Sequence, residues 1–238
     1  MTITANNLDY EASANLFWEQ GFIVIEGFFD AKLMSETQSS IMSHFGNSPA
    51  YEHDQRFIDL SKTEVIPWFP QNQGHELFDK LENDMRLQKL TSQILGEAWK
   101  NQYCMVMFSK EGSKGQAWHQ DCPPETSTQF NLNRLVYSMD VDHALGGQVY
   151  IRPGSHRLGA LTKGPLFEDF DDQIVLSPKQ GTIVLLHGHC WHRIGELKGK
   201  YRVSTNYRAT PRQAADSITD ICVYRNMRYQ FSTAKIVD

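Results

Sequence analysis

The residues best suited to chemistry are a histidine and an aspartate two positions apart, His119 and Asp121, in the segment Trp118-His-Gln-Asp. A second histidine, His192, and an arginine, Arg202, follow much later in the chain. Two imidazoles and one carboxylate hold Fe(II) on one face of the ion and leave the opposite face open for a cosubstrate and O2. These residue types therefore predict an iron site with catalytic chemistry.

The spacing of the first two residues fits a β-strand. Residues i and i+2 of a strand project to the same side, so His119 and Asp121 can both turn toward one ion. The third ligand must come from a different strand, and His187, His189 and His192 all lie in the segment that offers it. A structural zinc site would be closed by a fourth ligand, usually with paired cysteines, and the sequence contains no such pair.

Composition narrows the class of protein. The chain has 238 residues and a formal net charge of -5, and its lysines and arginines are scattered. This gives nucleic-acid binding little support. The length fits a single large domain. We expect a small-molecule substrate, with no nucleic-acid or membrane partner, and the sequence gives no prediction of the oligomeric state.

The cysteines and the N-terminus indicate the compartment. Cys104, Cys122, Cys190 and Cys222 show no CxxC pairing and are too sparse for a disulfide framework. The N-terminal residues lack a charged segment followed by an apolar one, and no apolar run approaches the ~18 residues that a membrane span needs. We therefore expect a soluble, cytoplasmic protein.

The first part of the chain is predicted to be mostly helical. Gly21 ends the first helix, and Asp30 is the N-cap of the second. Pro49, Pro67 and Pro70 predict a loop before the third helix. The predicted elements are a helix over 10–20, a strand over 22–25, a second helix from Asp30 to about 45, and a third over about 76–95.

From about residue 100 the sequence changes to short β segments separated by Gly and Pro. Strand length and β-branched or aromatic content predict strands over 103–108, 132–140, 148–151, 173–176, 181–187 and 201–208. Short strands at this spacing are typical of a β-sandwich or a closed barrel rather than of alternating βα units.

Four motifs, taken in order, resemble one known family. They are Ala117-Trp-His-Gln-Asp, a segment over 146–159 that begins Gly-Gly-Gln-Val-Tyr-Ile-Arg-Pro-Gly-Ser-His, a segment over 181–192 that ends Gly-His-Cys-Trp-His, and Arg202. In order and spacing they resemble the phytanoyl-CoA dioxygenase (PhyH) family of Fe(II)/2-oxoglutarate-dependent oxygenases. The resemblance extends over most of the chain, including a helix that leads into a Gly-Phe-Ile-Val-Ile strand within residues 13–25.

The resemblance implies a mainly β fold with flanking helices, whose core is a double-stranded β-helix, the cupin-like jelly roll. Residues 1–238 would form one Fe(II)/2-oxoglutarate dioxygenase domain. Within it, residues 1–99 would be a mostly helical part packed on the core, residues 100–210 the jelly roll, and residues 211–238 a C-terminal extension.

The same resemblance implies the roles of the site residues. The iron ligands would be His119, Asp121 and His192, because the family's spacing favours His192 over His187 and His189. In iron halogenases of related fold the carboxylate ligand is replaced by Gly or Ala, so the presence of Asp121 favours hydroxylation or another oxidation.

Three further residues are implied for the cosubstrate. Arg202 would bind the distal carboxylate of 2-oxoglutarate, since a planar guanidinium grips a carboxylate with two parallel hydrogen bonds. Ser204 lies two residues further on the same strand face and would add another bond. Tyr137 would line the cosubstrate pocket.

The sequence also offers candidate substrate-binding residues, which are marked by their position rather than by a motif. Trp118 and Cys122 adjoin the candidate ligands, and Arg134 would reach a substrate carboxylate or phosphate unless it forms a surface ion pair. Loops over 46–75, 122–131 and 157–172 are expected to supply the remaining substrate contacts.

The predicted function is therefore an Fe(II)/2-oxoglutarate-dependent dioxygenase. It would oxidise, most simply hydroxylate, an unactivated C–H bond of an amino acid or a secondary metabolite while 2-oxoglutarate and O2 yield succinate and CO2. A catalytically silent jelly roll that binds a metal or metabolite, an acyl-CoA hydroxylase and a metal-assisted hydrolase or isomerase are the alternatives. The acyl-CoA substrate is less favoured, because no basic cluster suits its phosphates.

Overall fold

In the computed structural model, residues 2–46 and 51–237 are described. Their α-helices are α1 Tyr10–Gln20, α2 Ala31–Phe45, α3 Gln55–Ser61, α4 Glu76–Glu82 and α5 Met85–Leu95. Aspartates cap four of these helices, because a short side-chain carboxylate can accept a hydrogen bond from a first-turn N–H group. The four caps are Asp9, Asp30, Asp54 and Asp84.

The predictions of the first two helices are confirmed. Gly21 ends α1 with φ of 82°, a left-handed conformation that glycine adopts without steric cost. The prediction of a single third helix is wrong. The helix is interrupted at Asn83 and Asp84, where the Asp84 carboxylate accepts a hydrogen bond from the Arg86 N–H and a new helix begins. The predicted loop contains α3, and Pro67 lies in an edge strand; Pro49 lies outside the described residues.

The strands form two sheets of seven each within the described residues. The first sheet has the order β1-β2-β9-β6-β11-β4-β3, and the second β14-β13-β12-β5-β10-β7-β8. The strands are β1 Thr2–Thr4, β2 Phe22–Glu26, β3 Ile66–Trp68, β4 Trp99–Lys110, β5 Gln116–Gln120, β6 Leu132–Val136, β7 Val149–Ile151, β8 Ile174–Leu176, β9 Ile183–His187, β10 His192–Ile194, β11 Tyr201–Pro211, β12 Ile221–Tyr224, β13 Met227–Gln230 and β14 Lys235–Val237.

Strand β9 shows how the layers are arranged. Ile183 and Leu185 pack with the helices on the outer face of the first sheet, whereas Val184 and Leu186 pack in a cluster shared with the second sheet. Both faces of this strand are buried, which explains its continuous apolar run. Two facing sheets with helices over one of them form the predicted jelly roll with flanking helices.

The predicted strands from residue 103 onward are confirmed as β4, β6, β7, β8, β9 and β11, although β6 ends at Val136 rather than near residue 140. Strands β12, β13 and β14 were not predicted. They extend the second sheet beside β5, which carries the candidate metal ligand His119. No helix in the described parts of the chain is both long and apolar enough to cross a membrane.

Candidate active site

The three candidate metal ligands meet where two neighbouring strands of the second sheet are paired. His119 on β5 lies opposite His192 on β10 in the antiparallel register, with 4.0 Å between the ring centroids. Asp121 follows directly after β5, and its carboxylate oxygens lie 4.0 Å from His119 Nε2 and 3.5 Å from His192 Nε2. The structure thus brings together the one carboxylate and two imidazoles that the sequence singled out.

Backbone carbonyls orient both imidazoles. His119 Nδ1 lies 2.8 Å from the Ala117 oxygen, and His192 Nδ1 lies 2.9 Å from the Cys190 oxygen. A proton on each Nδ1 donates to the carbonyl and leaves the Nε2 lone pair facing Asp121. Burial, with the neighbouring His192, lowers the pKa of His119 to about 3, so this imidazole is neutral and able to bind a metal.

The Asp121 carboxylate is held from both sides. Asn133 Nδ2 donates to Oδ2 at 2.7 Å, and Arg208 Nη2 lies 3.0 Å from Oδ1. Burial alone would raise the pKa of Asp121, but the charge of Arg208 and the two histidines outweigh it and lower the pKa to about 2. The carboxylate is therefore ionised and fixed in orientation. Sequence reasoning missed both Asn133 and Arg208.

A buried thiol lies beside these residues. Cys222 Sγ lies within 4.8 Å of the candidate metal-binding atoms of both His119 and Asp121. It donates to the Gln120 backbone carbonyl oxygen at 3.0 Å. Burial raises the pKa of the thiol well above its usual range, so it is protonated. Cys222 comes from β12, in the part of the chain predicted to be an extension, and no sequence motif marks it.

The two alternative histidines lie elsewhere. His187 stacks on Phe130 with 4.2 Å between ring centroids, and His189 Nε2 lies 3.0 Å from the Gln129 backbone carbonyl oxygen. Neither lines the cavity that contains His119 and Asp121. The geometry therefore favours His192 as the third candidate ligand.

Arg202 is a buried cation without an acidic partner among the described residues. Its Nε donates to the Gly147 oxygen at 2.8 Å and its Nη1 to Ser204 Oγ at 3.2 Å, and the residue is 3% exposed. No carboxylate of the described chain lies within 4.0 Å of it, although a buried charge is costly unless it is paired. The site therefore fits an anionic ligand.

Two neighbours of Arg202 add to this fit. The Tyr137 hydroxyl is buried beside the Arg202 guanidinium and donates to no described residue, so it can donate to a ligand in the cavity that both side chains line. Gly147 has φ of 69°, and a Cβ there would lie 2.5 Å from Arg202 Cδ. The guanidinium and the hydroxyls of Tyr137 and Ser204 suit the distal carboxylate of 2-oxoglutarate.

One cavity of about 620 Å³ contains both the candidate metal ligands and these candidate cosubstrate residues. Its walls come from the segment 51–69, from strands of both sheets and from the segment 219–234. Along β11, the alternating residues Arg202, Ser204, Asn206 and Arg208 all face it, as the two-residue period of a strand requires. This volume has the size of a small-molecule site.

The predicted substrate contacts Trp118, Cys122 and Arg134 do not line this cavity. The Trp118 indole lies in a separate aromatic cluster, where it donates to the Glu168 backbone carbonyl oxygen at 2.9 Å. Cys122 is fully buried, and burial raises the pKa of its thiol to about 12. These positions correct the prediction for both residues.

Arg134 forms an ion pair, as in the alternative to substrate binding, but the pair is buried rather than on the surface. Its Nη2 lies 2.9 Å from Glu82 Oε1 of α4, and its Nε donates to the Tyr207 backbone carbonyl oxygen at 2.7 Å. Because β6 alternates its side chains, Arg134 points to the helix side of the first sheet, whereas Asn133 points to the cavity. Of the three predicted substrate loops, only 46–75 contributes to the cavity wall, through its described residues.

Solved structures with a similar fold were found by comparison. The epimerase SnoN in complex with Fe3+, alpha ketoglutarate and nogalamycin RO has a TM-score of 0.69 and 18% identity, covering 91% of this chain and 86% of that chain. HygX from Streptomyces hygroscopicus with nickel, 2-oxoglutarate and hygromycin B bound has a TM-score of 0.64 and 15% identity, covering 84% and 86%. No curated protein sequence is detectably similar to this chain.

The fold and the site together define the class of non-haem Fe(II)/2-oxoglutarate-dependent oxygenases. A family model confirms the assignment more specifically, since the phytanoyl-CoA dioxygenase (PhyH) model matches residues 17–200. The chain belongs to the phytanoyl-CoA dioxygenase family.

Proposed function

We propose that this oxygenase hydroxylates an unactivated C–H bond of a small molecule, with His119, Asp121 and His192 as its iron ligands. One observation carries the proposal: the cavity that contains this triad also contains Arg202, a buried guanidinium without an acidic partner in the described chain. A metal-assisted hydrolase or isomerase has no need for that second feature, and formation of succinate separates the oxygenase from a silent jelly roll that binds a metal or metabolite.

The roles of the protein's own residues follow from their contacts. Arg208 and Asn133 hold the Asp121 carboxylate ionised and oriented toward the two imidazoles. Arg202 would bind the distal carboxylate of 2-oxoglutarate, with Ser204 and Tyr137 as additional donors. Fe(II) with 2-oxoglutarate and O2 supplies the oxidising chemistry, in which 2-oxoglutarate is converted to succinate and CO2.

Apolar side chains restrict water beside the cosubstrate residues. Leu135, Val149 and Ile194 line the same cavity as Arg202 and are nearly buried. Exclusion of water strengthens every charge interaction within a site and prevents side reactions of a reactive oxidant. We also infer that the chain works as a single domain, because the strands beyond residue 211 complete the sheet that carries the candidate ligands.

An anaerobic titration tests the proposal. Apo-protein is titrated with Fe(II) and then 2-oxoglutarate, and the visible metal-to-ligand absorption band of the chelate is recorded. We expect a band in the wild type, no band in His119→Ala, and a need for far more 2-oxoglutarate in Arg202→Ala. Exposed His143 and Arg212 provide matched controls, His143→Ala and Arg212→Ala, which should behave as the wild type.

Formation of succinate is then measured in air with candidate metabolites. A folded wild-type protein that gives no band contradicts the proposal and favours the silent jelly roll. A band that Arg202→Ala leaves unchanged would instead contradict the assigned role of Arg202.

A further inference from the structure

Aromatic rings line the cavity from its outer wall to the candidate metal ligands. Phe57 of α3 lies 4.3 Å from Tyr229 and 5.6 Å from Tyr224, measured between ring centroids. Tyr224 in turn stacks on His119 at 5.4 Å with an interplanar angle of 25°. Phe231 extends the cluster at 5.3 Å from Tyr229. A flat ring seated against these side chains would lie next to the candidate iron ligands.

The same wall carries carboxylates. Besides Asp121, the acidic residues that line the cavity are Glu52, Asp54 and Asp220. None of the three lies within 4.0 Å of a Lys, Arg or His nitrogen in the described chain. Asp54 uses one oxygen to cap α3 by accepting from the Phe57 N–H.

The ionised state of one of these carboxylates and the position of another have further support. Burial would raise the pKa of Asp220, but hydrogen bonds from Ser232 and Gln230 outweigh it and lower the pKa, so this group is ionised. The Tyr229 pKa is raised by burial and then by the nearby charge of Asp54. Negative charge therefore lies beside the aromatic wall.

Positive charge available to a substrate is absent from the described cavity lining. No lysine lines it, and its arginines are Arg202 and Arg208. Arg208 is paired with Asp121, and Arg202 is assigned to the cosubstrate. His53 remains on the outer wall, where burial lowers its pKa and keeps it neutral. An anionic substrate such as an acyl-CoA or a free carboxylate would find no unpaired cation here.

We infer that the substrate is a ring-bearing small molecule with a protonated amino group. Its ring would pack on Phe57, Tyr224 and Tyr229, and its ammonium would face Asp54 and Glu52. Aromatic faces attract cations, and carboxylates with no cationic partner attract them further. This inference rests on the proposed function and deepens it, because it names the substrate class of the same site.

Three probes with one ring and different charges test the inference. The cationic, neutral and anionic probes are 2-phenylethylamine, 2-phenylethanol and 3-phenylpropanoate. Each is titrated into the anaerobic Fe(II)- and 2-oxoglutarate-loaded protein, and binding is followed by calorimetry at neutral pH. We expect the amine to bind about tenfold more tightly than the alcohol and the carboxylate to bind most weakly. Added salt should reduce the preference, since it screens charge interactions.

The paired substitutions Asp54→Asn and Glu52→Gln remove the charges and keep the shapes, and asparagine still caps a helix. They should reduce the preference for the amine by about fivefold or more. Asp59→Asn is the matched control, because Asp59 lies on the same helix α3 but does not line this cavity. It should leave the preference unchanged.

Equal affinities for the three probes, including no measurable binding of any, would overturn the inference. So would an amine preference that survives the Asp54→Asn and Glu52→Gln changes. The visible band of the iron chelate, recorded on the same samples, separates this failure from that of the proposed function. A band without amine preference defeats the inference alone, whereas amine preference without a band defeats the oxygenase assignment of the site and leaves a cation-binding cavity.

Discussion

Arg208 provides the charge that keeps Asp121 ionised in a buried position. Of the charges that lower the pKa of Asp121, Arg208 is the largest, ahead of His192 and His119, and the remaining direct contact, Asn133, is neutral. A carboxylate near an opposite charge has a lowered pKa, and burial raises it again when that charge is removed.

Arg208→Gln should therefore raise the pKa of Asp121 from about 2. Protonated Asp121 cannot bind a metal, so the pH below which metal binding is lost should rise by about 1 to 3 units. The measurement is the absorption of bound Co(II) as a function of pH. The control is Arg212→Gln, an exposed arginine just beyond β11. Superimposable pH profiles for the wild type and Arg208→Gln would contradict this role.

Gly147 permits the approach of Arg202 to the backbone, and Gly147→Ala tests that contact. The new Cβ would lie 2.5 Å from Arg202 Cδ and displace the guanidinium. We expect 2-oxoglutarate binding to lose about 1 kcal/mol or more, as overpacking usually costs, with Fe(II) affinity unchanged. Gly159→Ala is the matched control, since its φ of 77° is similar but no atom lies within 4 Å of its Cβ position. Equal losses in both variants would indicate backbone strain alone.

At the residue scale, the sequence predicted the side chains whose type and spacing form a known ligand set. His119, Asp121, His192 and Arg202 could be located in this way. Arg208 could have been found from the two-residue period of β11, which places it on the same face as Arg202. Cys222 could not, because only the pairing of β12 with β5 brings it to the site.

At the element scale, capping chemistry decides where the helices begin and end. Apolar residues continue at helical intervals through 76–95, which is why one long helix was predicted there. Asp84 interrupts it, because its carboxylate satisfies the Arg86 N–H and so offers the backbone an alternative to a continuous helix. Periodicity alone does not record such a break.

Asp84→Ala should destabilise the protein by about 1 kcal/mol through loss of the α5 cap, whereas Asp84→Asn should cost only part of this. Asparagine keeps the acceptor for the Arg86 N–H but loses the ion pair at 2.7 Å with the Arg86 guanidinium. Urea unfolding followed by circular dichroism gives both values. If the two variants are equally destabilised, the ion pair rather than the cap stabilises this break.

Helix α3 and strands β12 to β14 are among the elements that sequence analysis missed. Gln55–Ser61 spans only about two helical turns, too few for apolar periodicity to identify a helix, and the strands lie where only long-range pairing defines them. These elements supply Phe57, Tyr224 and Tyr229 to the cavity. The candidate metal ligands were thus easier to predict than the wall that faces the substrate.

At the scale of the whole molecule, buried neutral histidines link stability to pH. Burial, with the nearby His189 and His156, lowers the pKa of His187 well below its usual value. In the unfolded chain His187 binds a proton near pH 6.5, whereas in the folded chain it stays neutral to much lower pH. The unfolded state then binds more protons below about pH 6.5, so the free energy of unfolding falls as the pH is lowered.

His187→Asn should flatten this dependence. Asparagine can still accept from the His189 N–H, as His187 Nδ1 does at 3.1 Å. The variant is expected to lose overall stability, but its free energy of unfolding should change less between pH 7.5 and 5.5, by up to about 1.4 kcal/mol for each pH unit below 6.5. Urea unfolding at both pH values measures the difference. Parallel curves for the two proteins would show that His187 does not contribute.

The direct opposition of His119 and His192 in the register of β5 and β10 has a consequence for how the protein is maintained in a cell. An ion bound by both would clamp two adjacent strands, one of them only three residues long. Bound metal adds to the folding free energy by mass action, about 2.7 kcal/mol at 100 times its Kd. Chelation should therefore lower the melting temperature of the wild type but not that of His119→Ala. Iron limitation would then reduce the amount of folded protein. The abundance of the protein would therefore depend on the iron supply even in the absence of its substrate.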